Sequence, residues 1–99
     1  MDHYLSRAII LYTGKDVEPF PKSDADAVMQ EFGEVLGEEL LTDMHAGVFK
    51  LLDAMPPDWD TETMGEASRR VLTAIVRDHP GLEPRAAMAL IWIYQYGWK

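Results

Sequence analysis

Three histidines, seventeen acidic residues and no cysteine set the chemistry open to this 99-residue chain. His45 follows Glu38, Glu39 and Asp43 closely enough for one of them to serve as a partner. On a continuous helix Glu38 lies roughly on the His45 side, whereas Asp43 points elsewhere. A histidine beside a carboxylate can act as a base, or the two can ligate a metal, but zinc needs three or four ligands. The structural alternative is a boundary residue, because His45 sits one turn after Leu41 and one before Phe49 at the edge of an apolar stripe. His79 precedes Pro80-Gly81, where an imidazole can meet the last carbonyls of a helix. His3 has no feature near it that calls for chemistry, and Ser6, Ser23 and Ser68 have no identifiable base.

The chain contains no glycine-rich phosphate loop, dinucleotide fingerprint, H-E-x-x-H pair, calcium loop or catalytic-serine signature. The expectation is therefore no catalytic, cofactor-binding or metal-ligating residue, and no enzyme.

The acidic residues themselves form the more conspicuous pattern. Residues 24–43 hold seven carboxylates and no lysine or arginine: Asp24, Asp26, Glu31, Glu34, Glu38, Glu39 and Asp43. The net charge is −8, and residues 1–50 carry ten acids against four bases, while residues 51–99 carry seven against five. A phosphate backbone or an anionic membrane would be repelled, so neither direct nucleic-acid binding nor membrane association is expected. A basic protein is electrostatically compatible. Glu34 with Glu38, and Glu39 with Asp43, are like-charge pairs four apart, each costing a few tenths of a kcal/mol on an isolated helix. The run reads either as a solvated face or as a docking surface made of Glu31, Glu34, Glu38, Glu39 and Asp43.

Two tryptophans add candidate contacts. Trp59, in the connecting stretch PPDWDT, is either a lid over the core edge or an exposed binding anchor. Trp98 belongs to the aromatic end of AMALIWIYQYGWK, where it either folds back or meets another chain.

These groups must be positioned by helices. Residues 2–12 read as a short amphipathic helix capped by Asp2, although AIILY also suits a strand. Residues 14–22 form a proline-containing loop. Ser23 is placed as the cap of a helix carrying Val28, Phe32 and Val35 on one stripe, with Leu36 beside it, and Gly37 either ends or kinks it. Residues 38–57 carry Leu41, Met44, Val48, Leu51, Leu52 and Met55 on one face and stop at Pro56-Pro57. A further helix runs from about Glu62 to Asp78, with Met64, Ala67, Val71, Leu72 and Ile75 inward and Glu66 paired to Arg70. Pro84 opens a last helix that is apolar nearly all round as far as Tyr94, and so is expected to be the central or most enclosed one.

The resulting expectation is an all-α chain: a compact four- or five-helix bundle-like domain, 1–99, with an apolar C-terminal helix. Composition, at 47% hydrophobic, supports one modest core rather than a disordered acidic chain. No apolar run reaches the roughly 20 residues of a membrane span. No targeting segment stands out, and a cytoplasmic location is expected. The first functional expectation is a non-catalytic module that binds or inhibits a basic protein, a toxin-neutralising immunity protein being one concrete form. The alternative is a homo-oligomer assembled through the aromatic C-terminal helix, and the third is a small metal-binding protein or enzyme.

Overall fold

Asp24, not Ser23, starts the long second helix. Its carboxylate accepts the Ala27 N–H at 3.0 Å, so the cap lies one residue beyond the position expected from sequence. The two candidates are adjacent and equally suited by type. The Asp24 N–H also donates to the Tyr12 carbonyl at 2.9 Å, which ties the start of this helix to the end of the first one.

The computed structural model describes residues 3–15, 17 and 19–98, so the expected cap at Asp2 lies outside the described residues. The helices are α1 (His3–Thr13), α2 (Ala25–Met44), α3 (Lys50–Asp53), α4 (Met64–Asp78) and α5 (Pro84–Gly97). A wider π-helical turn, His45–Phe49, joins α2 to α3. No strand occurs among the described residues, so AIILY is helical. The result is a small all-α bundle with a radius of gyration of 13.2 Å, close to the roughly 13 Å of a compact chain this long.

α2 is interrupted at Gly33, where φ is +81° and ψ is 171°. That backbone region is essentially reserved for glycine. The break therefore falls four residues before Gly37, the glycine expected to make it. Gly37 does something different: it is buried, and a Cβ there would lie 3.2 Å from the Met29 Cα and 2.7 Å from its Sδ. Eight residues of straight helix would separate these two positions by about 12 Å along the axis. The chain bends at Gly33, and Gly37 permits the close approach that follows.

The bend also resets which side faces inward. Val28 is fully buried before it, whereas Val35, assigned to the same stripe by spacing, is 77% exposed after it. Beyond the bend, the inward residues are Leu40, Met44, Val48 and Leu52, spaced by four throughout. Such a row drifts by about 40° per step on a helix of 3.6 residues per turn. The π turn at His45–Phe49 accommodates one extra residue and keeps the row directed at the core.

α1 packs on both α2 and α5, and α5 packs on α4. The centre is thus shared by α1 and α5, since Ala8, Ile9, Ala89 and Leu90 are all fully buried. α5 is not enclosed all round, because Met88 points outward. Two buried hydroxyls join the layers. Ser6 accepts the Glu83 N–H at 2.9 Å, tying α1 to the start of α5, and Ser68 accepts from Gln95 Nε2 at 3.0 Å, tying α4 to α5.

Candidate functional site

The helix continues from Gly33 through Met44, and this segment carries the densest part of the acidic run. Val35, Glu38, Glu39, Thr42 and Asp43 repeat at three, one, three and one, the spacing of a single helical face. They line one shallow, open depression on the outside of α2. Glu34 is exposed one turn before Glu38, and Glu31 is exposed on the other side of the Gly33 break. Both like-charge pairs, Glu34 with Glu38 and Glu39 with Asp43, therefore sit on continuous helix. None of these five carboxylates forms an ion pair with another described residue. Only Glu38, Glu39 and Asp43 share the depression.

Trp59 and Trp98 lie elsewhere. Trp59 is 54% exposed and outside the core cluster, so the lid arrangement is not what the structure contains. Trp98 is 40% exposed and borders a separate depression with Phe49, Leu52 and Ile93. Ile91 and Tyr94 are buried, whereas Tyr96 turns away and meets Phe20 edge-on at 5.8 Å.

The histidines have three different surroundings. His3 Nδ1 lies 2.6 Å from Glu83 Oε1, a partner 80 residues away that local sequence had not suggested. His45 is solvent-exposed, yet its ring meets Tyr12 at 5.6 Å and Phe49 at 5.4 Å. His79 closes α4 through its backbone N–H to the Ile75 carbonyl, and its ring rests over Gly47 of the π turn. Among the described residues, no group of three or more His, Cys, Asp or Glu side chains is arranged to hold a metal ion.

Sequence spacing missed one network. Arg70 does not pair with Glu66. Glu66 instead completes a capping box with Thr63, accepting the Thr63 N–H at 2.9 Å while the Thr63 hydroxyl accepts the Glu66 N–H. Arg70 turns to Glu62, donating from Nε and Nη2 at 2.8 Å each, and Nη2 also reaches the Pro56 carbonyl at 3.1 Å. These bonds, with the Asp58 N–H, hold the Glu62 carboxyl down to about 2. The T-x-x-E spacing of residues 63–66 was the signal that Glu66 was already committed. No helix among the described residues is long and apolar enough to cross a membrane.

The arrangement can do two things chemically: attract a cation to α2 and present indole rings at two separate places. No protein-family model, curated protein or solved structure matches this chain.

Proposed function

We propose that this chain is a non-catalytic, cytoplasmic protein-binding module that engages a basic protein and can inhibit it by covering its cationic surface. The observation that carries this reading is the outer face of α2, where Glu38, Glu39 and Asp43 surround the exposed aliphatic Val35 without pairing to any described cation. Like charges at these spacings repel on the free protein. A cationic partner offsets that repulsion and is drawn in faster by the local field. Val35 supplies apolar contact within the charged rim. The same sign of charge argues against nucleic acid and anionic membranes as direct partners.

The test is recovery of a partner from native extract by the wild-type chain and by a Glu34→Gln, Glu38→Gln, Glu39→Gln, Asp43→Asn variant. A stoichiometric basic protein should bind the wild type, weaken with added salt and be lost from the variant. Equal retention by both proteins, or no stoichiometric partner at all, would sink the reading.

Self-association through α5 is the second reading, and the outward placement of Met88, Tyr96 and Trp98 favours it. Sedimentation across a range of concentrations separates the two, since a monomer throughout excludes the oligomer.

A further inference from the structure

Residues 54–63, between α3 and α4, are fastened to the fold on both sides of Trp59. The Tyr94 hydroxyl donates to the Met55 carbonyl at 2.7 Å, and Arg70 donates to the Pro56 carbonyl and to both Glu62 oxygens. Glu62 Oε1 accepts the Asp58 N–H at 3.0 Å, and the Asp58 carbonyl accepts the N–H groups of Thr61 and Glu62. Yet the indole bracketed by these bonds faces solvent and makes no ring contact with another described residue. Trp92 is the contrast: the Lys15 ammonium lies over its ring, 5.2 Å from the centroid.

Water contact with an indole is unfavourable, and the backbone on either side of this one is braced by the bonds above. The same bracing lowers the entropy lost when a partner covers it. Charge narrows what that partner presents. Trp59 stands between Asp58 and Asp60, and the Asp60 carboxylate makes no bond to another described residue. A cation is the group that gains from both an indole face and a neighbouring carboxylate.

We infer that Trp59 is the anchor for an arginine side chain of a basic partner, its indole face taking the guanidinium and Asp60 flanking it. This rests on the proposed binding of a basic protein, and it places the specific contact on the α3–α4 connection in addition to the charged face of α2. Arginine is preferred over lysine because a planar, weakly hydrated guanidinium stacks on an aromatic face, whereas an ammonium is a compact, strongly hydrated charge.

The probes are octa-arginine and octa-lysine, titrated at about 150 mM salt, where exposed charges are screened beyond about 8 Å. The readouts are the dissociation constant and the indole N–H resonance of Trp59, identified by its loss in Trp59→Phe. Octa-arginine should shift that resonance and bind about 3- to 10-fold more tightly than octa-lysine. Trp59→Ala should abolish the preference with circular dichroism unchanged. An unmoved Trp59 resonance, or equal binding of the two peptides by the wild type, overturns the assignment. If Glu38→Gln, Glu39→Gln, Asp43→Asn loses binding while Trp59→Ala keeps the arginine preference, the Trp59 site is wrong and the α2 surface stands. If Trp59→Ala loses the preference and the carboxamide variant binds like wild type, Trp59 stands and the α2 surface is not the docking face.

Discussion

Arg70 grips the Glu62 carboxylate with two hydrogen bonds of 2.8 Å, and the same guanidinium holds the Pro56 carbonyl. One side chain on α4 thereby organises the connection that carries Trp59. A bidentate guanidinium–carboxylate pair has a defined geometry that a lysine cannot reproduce.

This pairing predicts an acid-dependent loss of stability. The folded Glu62 carboxyl is lowered from 4.5 to about 2, chiefly by the hydrogen bonds from Arg70. Its contribution is therefore present above pH 4.5 and is lost as pH falls through about 2. Glu62→Gln should flatten the melting temperature against pH across that window and speed amide exchange at Asp58. Parallel curves for wild type and variant would show that Glu62 contributes no linkage.

The two α2 glycines should both resist alanine, for different reasons. At a regular helical position Gly→Ala would stabilise by about 1 kcal/mol. At Gly33 the sign reverses, with an expected loss of about 1–3 kcal/mol from backbone strain alone, because open space surrounds its Cβ position. At Gly37 the loss is steric and of similar size, about 1–3 kcal/mol. Adding Met29→Ala to Gly37→Ala should recover part of it, since the clash with Sδ is relieved while the tight approach to the Met29 backbone persists. Urea midpoints distinguish the cases, and a stabilised Gly33→Ala protein would contradict the kinked geometry.

Tyr94→Phe keeps the buried ring and deletes only the bond to the Met55 carbonyl, so a loss of about 1 kcal/mol is expected. Burial raises the Tyr94 phenol above its ordinary 10.0. The unfolded chain then releases this proton first as pH rises, and the wild type loses stability above pH 10. The Phe variant should lack that component of alkaline unfolding. Chemical denaturation at pH 8 and above pH 10 measures both effects.

Ser6→Ala should destabilise by about 1 kcal/mol, because it removes the buried acceptor of the Glu83 N–H without opening a large cavity. The Glu83 amide should then exchange faster with solvent. Unchanged exchange there would mean that the N–H has another partner.

Helix content and much of the core were legible from local pattern. In α4, Ala67, Val71 and Ile75 recur at one face and are all fully buried as their spacing requires. Pro84 opens α5 and His79-Pro80-Gly81 closes α4, because the restrictions that proline and glycine impose on the chain are local. The exposure of Val35 was not legible. Its spacing from Val28 and Phe32 is helical, and only the backbone at Gly33 shows that the stripe does not continue through it.

For the candidate surface, composition and spacing already place seven acids and no base in residues 24–43 and set Glu38, Glu39 and Asp43 at helical spacing. That Val35 is exposed among them, that Arg70 chooses Glu62 and that Trp59 faces water follow only from the packed fold. The difference is one of range. Propensity, capping and periodicity act over one or two turns, whereas Ser6 meets Glu83 across 77 residues and Tyr94 meets Met55 across 39. Such partners are selected by how whole helices pack, and no local spacing specifies them.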